Sequence, residues 1–93
     1  MNAADILSSM ADTFRERNAI YKDNYKQIGK LCEILFPEGV ALKSSKDFNR
    51  YFSLVMVIGK LTRYTFNFNK GGHADSLHDL AVYAAMLAEI DGE

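Results

Sequence analysis

The sequence predicts an all-α protein, a single domain over residues 1–93 that folds as a small bundle of about four helices. A chain of 93 residues is long enough for one domain only. Apolar residues recur at three- and four-residue steps in four segments, which is the spacing of one face of an α-helix. The strict alternation typical of a strand occurs only between Arg63 and Lys70. We expect that stretch to be a helix end followed by an aromatic loop.

The first two helices are predicted at roughly Asn2–Arg17 and Tyr21–Phe36. The apolar stripe of the first is formed by Ile6, Leu7, Met10 and Phe14. The second ends before Pro37, because proline cannot continue the helical hydrogen bonds and disfavours the helical region for the residue before it. No proline or glycine separates the two segments, so one bent helix is an alternative to two.

The third helix is predicted to begin at Ser44 or Ser45, either of which can cap a helix, and to run to about Phe66. Its apolar face is wide, which indicates contact on more than one side, as in a central helix or a subunit interface. A loop over residues 67–74 contains two consecutive glycines that end the helix. The fourth helix is predicted at about Asp75–Ile90.

Charge and hydropathy exclude two classes of partner. The net charge is −1 and the basic residues are spread along the chain, so a general nucleic-acid binder is not expected. The longest apolar run is far too short to span a bilayer, so no membrane partner is expected. The polar start of the chain shows no signal-peptide pattern, and we expect a cytoplasmic protein. A chain this short buries a thin core, which favours a homo-oligomer.

The third and fourth helices carry the most suggestive charged residues. Lys60 and Arg63 share one face of the third helix, and Asp75, Asp79 and Tyr83 share one face of the fourth. Asp79 lies beside the apolar stripe and needs a partner there, since an isolated buried carboxylate is costly. One interpretation is an ion pair between the helices. The other is that Asp75 and Asp79 bind Mg²⁺ while Lys60, Arg63 and Tyr83 contact a nucleotide.

A second polar region, residues 16–25, contains two tyrosines. One interpretation is a solvated junction between helices. The alternative is the wall of a nucleotide pocket, in which Tyr21 or Tyr25 stacks on a base and Arg17 contacts a phosphate.

Taken together, Arg17 and Tyr21, the run Lys60-Leu61-Thr62-Arg63 and the pattern from Asp75 to Ala85 resemble a known group. Over about residues 12–89 the chain resembles short phage-encoded domains. Those domains look like minimal relatives of the MazG-like all-α nucleoside triphosphate pyrophosphatases. The resemblance implies an all-α multimer in the host cytoplasm. It also implies Mg²⁺ held by carboxylates of two helices, activating a water that attacks a nucleotide phosphate.

The chain departs from that pattern in its carboxylates. Asp75 and Asp79 are four residues apart rather than three, and the third helix lacks an E-x-x-E pair. Three functions therefore stay open. They are a Mg²⁺-dependent pyrophosphatase, a non-catalytic phage protein that binds or sequesters a host nucleotide, and a helical protein-interaction module.

Overall fold

The structure, a computed structural model, describes all 93 residues and contains four α-helices and no strand. The helices are α1 (Ala3–Tyr21), α2 (Asn24–Leu35), α3 (Ser45–Phe66) and α4 (Ala74–Asp91). A single 3₁₀ turn, Phe68–Lys70, follows α3 and replaces the alternative of a short strand. The predicted all-α class and number of helices are confirmed.

Two helices begin with reciprocal capping interactions. At the start of α3 the Ser44 hydroxyl accepts a hydrogen bond from the backbone N–H of Asp47, at 3.1 Å. The Asp47 carboxylate accepts one in return from the backbone N–H of Ser44, at 3.4 Å. Asn2 and Asp5 form the same arrangement at the start of α1. Each pair satisfies backbone donors that the first turn of a helix leaves free.

The boundary between α1 and α2 differs from the prediction. α1 continues one turn beyond Arg17 to Tyr21, and α2 begins at Asn24. Lys22 lies between them with a φ of 54°, a left-handed conformation that a residue with a Cβ seldom adopts. The chain therefore forms two helices rather than one bent helix, although no glycine or proline marks the break.

α3 and α4 form an antiparallel pair that carries most of the packing, and α2 packs against α3. Charged groups join the start of α3 to the C-terminal end of α4. The Arg50 guanidinium lies 2.6 Å from the Asp91 carboxylate, and the Lys46 ammonium donates to the Glu93 carbonyl at 2.7 Å. At the other end, Gly72 has a φ of 88° and Tyr64 packs directly on it. These contacts return the chain from α3 to α4.

The interior is thin and mainly polar. Ile58 is the one buried apolar residue, and the other buried residues are Asn24, Ser53, Thr62, Asn67 and Ser76. α1 has no packing partner comparable to those of the other helices. None of the four helices combines the length and the apolar character that crossing a membrane requires.

The capping arrangement of α3 predicts the effect of a small substitution. Ser44→Ala removes the hydroxyl that accepts from the Asp47 N–H, and we expect it to lower the free energy of unfolding by about 1 kcal/mol. Ser45→Ala is the matched control, since the neighbouring serine lies inside the helix and makes no capping bond. Urea denaturation followed by circular dichroism measures both. Equal effects of the two substitutions would contradict the assignment of the cap.

Acidification tests the other half of the same cap. Backbone N–H groups of Lys43 and then of Ser44 donate to the Asp47 carboxylate and hold its pKa below the ordinary value of 3.8. Because the pKa is lower in the folded state, ionised Asp47 stabilises the fold at pH values above its ordinary pKa. That stabilisation is lost as the pH falls through the folded pKa. We expect Asp47→Asn to flatten the loss of stability between about pH 5 and pH 2. Parallel denaturation curves for variant and wild type would contradict this.

Candidate functional site

A cavity of about 330 Å³ lies where α1 meets α2 and the last turns of α3. We call it the junction pocket. It brings together four residues that the sequence analysis associated with a nucleotide: Arg17, Tyr21, Tyr25 and Arg63. The other residues that line it are Met10, Thr13, Phe14, Asn18, Lys22 and Asn24. The volume falls at the lower end of the range typical of small-molecule sites, about 300–1,000 Å³.

Asn24 builds the pocket by fastening the start of α2 to α3. Its side chain is buried, and its oxygen accepts a hydrogen bond from the Thr62 hydroxyl. Its amide also donates to the Gly59 carbonyl, at 3.4 Å. Because Asn24 follows Lys22 so closely, these bonds set the direction in which α1 leaves the body of the molecule. The C-terminal turns of α1 consequently lie beside Arg63, the residue after Thr62.

Aromatic rings and cations alternate along the pocket. The Arg63 guanidinium lies over the Tyr21 ring, 4.5 Å from its centroid. The Tyr21 ring also contacts the His73 ring edge to face, with centroids 6.2 Å apart. Tyr25 contacts Phe14 edge to face, with ring centroids 6.0 Å apart. Tyr25 is nevertheless 59% exposed. The Lys26 ammonium lies over the Tyr25 ring, 5.6 Å from its centroid. A planar ligand could stack on the opposite face of that ring, while the Tyr21 ring orients the Arg63 guanidinium.

The charge of the pocket is uniformly positive. Arg17, Lys22 and Arg63 line it, and no carboxylate does. None of these three cations belongs to any of the five salt bridges in the chain. By contrast, the neighbouring Arg15 and Lys26 are paired with Asp12 and Asp23. Three unpaired cations around one concave, partly apolar surface favour an anion with a planar apolar part.

The remaining predicted residues lie elsewhere. Lys60 and Asp79 join α3 to α4, with 3.4 Å between the ammonium and a carboxylate oxygen. Lys60 also lines a separate small cavity of about 100 Å³. Asp75 is exposed on the first turn of α4, and Tyr83 is half-buried further along that helix. None of these four residues lines the junction pocket.

The two aspartates of the predicted magnesium site do not belong to a larger cluster of metal-ligating side chains. No group of three or more His, Cys, Asp or Glu side chains is placed to hold a metal ion. A carboxylate oxygen of Asp79 already faces the Lys60 ammonium, and Asp75 takes part in no salt bridge. Mg²⁺ in nucleotide sites usually binds through one or two carboxylates and completes its shell with waters and substrate phosphates. Magnesium remains an implication of the family resemblance.

Sequence reasoning did not single out Lys22, Asn18, Phe14 or Met10 as site residues. Phe14 and Met10 belong to the apolar stripe of α1, which resembles an ordinary core-facing stripe in the sequence. Lys22 lies inside the polar region that was interpreted as a pocket wall or a junction, but its left-handed conformation left no sequence signal.

No family model, no curated protein and no solved structure matches the chain.

The ion pair between α3 and α4 predicts unequal effects of two similar substitutions. Asp79→Asn leaves the Lys60 ammonium, whose side chain is 12% exposed, without its partner. We expect a loss of about 1–2 kcal/mol, between the values for exposed and for fully buried pairs. Asp75→Asn, one turn earlier and exposed, should change stability by less than about 0.5 kcal/mol.

Chemical denaturation of both variants, with and without Mg²⁺, measures these effects. If the two aspartates instead hold a metal together, Mg²⁺ should stabilise the wild type, and both substitutions should abolish that stabilisation equally. That outcome would contradict the structural role assigned to Asp79.

Proposed function

We propose that the chain binds a phosphorylated, nucleotide-type ligand in the junction pocket and does not hydrolyse it. One observation supports the proposal above all: three cations without salt-bridge partners surround a pocket that contains aromatic rings and no carboxylate. In this proposal the protein is a cytoplasmic, homo-oligomeric binding or sequestering protein. A phage origin and kinship with MazG-like proteins remain predictions of the resemblance.

The residues of the pocket divide between the two parts of such a ligand. Arg17 and Lys22 bind the phosphate, because the planar guanidinium and the compact ammonium are both exposed and have no carboxylate partner. Arg63 adds a third donor group, which the Tyr21 ring orients beforehand. The exposed ring of Tyr25 stacks on the base, a contact worth about 1–3 kcal/mol per base in proteins that bind single strands.

The absence of a carboxylate from the pocket argues for binding without turnover. Phosphoanhydride hydrolysis of the pyrophosphatase type requires a metal held by several carboxylates and a water positioned for attack. The junction pocket offers donors and cations, which hold a phosphate, and lacks a carboxylate general base. Its lining is suited to retaining an anion intact.

A thermal-shift screen against nucleotides and cyclic nucleotides, each with Mg²⁺ and with a chelator, tests the proposal. We expect stabilisation that does not require Mg²⁺, of about 2.7 kcal/mol at a ligand concentration 100 times the dissociation constant. Chromatography should then recover the ligand unchanged. Conversion to a monophosphate and pyrophosphate with Mg²⁺ would establish the pyrophosphatase instead. A uniformly flat screen would exclude the pocket as a nucleotide site and favour a helical interaction module.

Two arginines of α1 provide a matched pair of variants. Arg17→Gln removes an unpaired pocket cation and should weaken binding of any hit about tenfold, equal to about 1.4 kcal/mol. Arg15→Gln removes the same charge from the same helix, but outside the pocket and already paired with Asp12, at 2.9 Å. Isothermal titration calorimetry should find its affinity within about twofold of wild type. Equal losses would mean that the net charge, rather than the pocket, attracts the ligand.

A further inference from the structure

The N-terminal helix carries an apolar stripe that the rest of the chain leaves about half exposed. Ile6, Leu7, Met10 and Phe14 share one face of α1 and are 42%, 65%, 61% and 49% exposed. The opposite face is polar. An isolated helix of this length is marginally stable in water, and most helices in proteins are stabilised by packing of their apolar face. A stable α1 therefore requires a surface outside the chain to cover the stripe.

The size of the exposed surface indicates how much must be covered. The chain exposes 6922 Å², whereas a compact monomer of its mass would expose about 5,400 Å². Its radius of gyration is 16.1 Å, against about 12 Å for a compact domain of 93 residues. The excess, roughly 1,500 Å² per chain, matches what one partner buries in an obligate interface, about 1,000–2,500 Å².

We propose that a second copy of this chain covers the stripe, with α1 of one copy lying antiparallel on α1 of the other. An isologous contact places the same patch on both subunits, so a single apolar stripe covers itself. The uncovered area is as large as the surface buried in obligate interfaces, which favours a partner that is always present with the chain. This inference names the surface behind the oligomer included in the proposed function.

The charges of α1 disfavour a lipid surface as the occupant. Membrane-surface helices carry an excess of Lys and Arg on the polar face, which attracts anionic lipids. The polar side of α1 carries three acidic residues, Asp5, Asp12 and Glu16. The helix has only two basic residues, of which Arg15 is paired with Asp12 and Arg17 lies in the junction pocket. Anionic lipid would be repelled rather than attracted.

The same contact affects the ligand site, and this step rests on the proposed function. Met10 and Phe14 belong to the stripe and also line the junction pocket. A second α1 on the stripe therefore lies next to the pocket and excludes water from its apolar side. Because Met10 and Phe14 belong to both surfaces, ligand binding and association of the two copies should be thermodynamically linked.

Sedimentation equilibrium of the whole chain, without ligand, tests the proposed surface. We expect wild type at twice the chain mass or a higher multiple. Leu7→Glu should shift the chain toward the monomer and raise the dissociation constant at least about tenfold. Ser8→Glu adds the same charge one residue along, on the polar face, and should leave the mass unchanged.

The wild-type measurement decides the matter even if Leu7→Glu fails to fold. A wild type that stays monomeric at high concentration would overturn the proposal, as would equal dissociation by both glutamate variants. Flotation of monomeric wild type with anionic vesicles would overturn it in favour of lipid. An oligomer that dissociates in Leu7→Glu but binds no nucleotide would support this interface while removing the proposed function.

Discussion

The buried hydrogen bonds of Asn24 determine where the candidate ligand-binding residues lie. Asn24 is the first residue of α2, and its side chain joins Thr62 and Gly59 of α3. A buried amide that loses its partners costs about 1–3 kcal/mol, so the chain resists any path that moves Asn24 away from α3. The left-handed conformation of Lys22 is the backbone adjustment that satisfies both this bond and the direction of α1.

Hydrogen bonds of buried polar side chains supplement the packing of half-buried apolar side chains in the interior. Thr62 also contacts the Gly59 carbonyl at 2.8 Å, and the Asn67 amide donates to the Arg63 carbonyl at 2.8 Å. Buried Ser76 lies 2.6 Å from the His73 ring nitrogen. Hydrogen bonds of this kind specify geometry, but each adds only about 1 kcal/mol to the free energy of unfolding. A chain with one buried apolar residue therefore has a small free energy of unfolding as a monomer. The apolar surface that would normally increase it is on the outside.

Periodicity and caps were enough to predict the helices, because both signals are local. The start of α3 at Ser45 and the end of α2 before Pro37 follow from residues next to the boundary. The break after Tyr21 was not placed correctly in this way, since the first residue of α2, Asn24, bonds to a residue 38 positions away and no local signal marks that contact. The stripe of α1 was visible in the sequence, but a pattern of apolar residues does not reveal whether its partner is the same chain or another.

The candidate site was predictable in part for the same reason. The sequence grouped Arg17 and Tyr21 in one polar region, and their spacing placed Lys60 and Arg63 on one face of the third helix. Which of these faces meet depends on the junction, so the sequence left an ion pair and a metal site as alternatives for Asp79. The fold joins Asp79 to Lys60 and leaves Asp75 apart. The fold places Arg63 on the ring of Tyr21 instead.

That division of partners explains how a chain of net charge −1 maintains a positive pocket. Lys60 and Arg63 are three residues apart, and either could in principle attract the nearest carboxylate of α4. The carboxylate of Asp79 lies 3.4 Å from the Lys60 ammonium, so it neutralises Lys60 and not Arg63. Arg63 then rests on an aromatic face, which attracts a cation without cancelling its charge. The ion pair between Lys60 and Asp79 thus leaves the Arg63 guanidinium without a carboxylate partner beside the junction pocket, as the proposed binding of an anion requires.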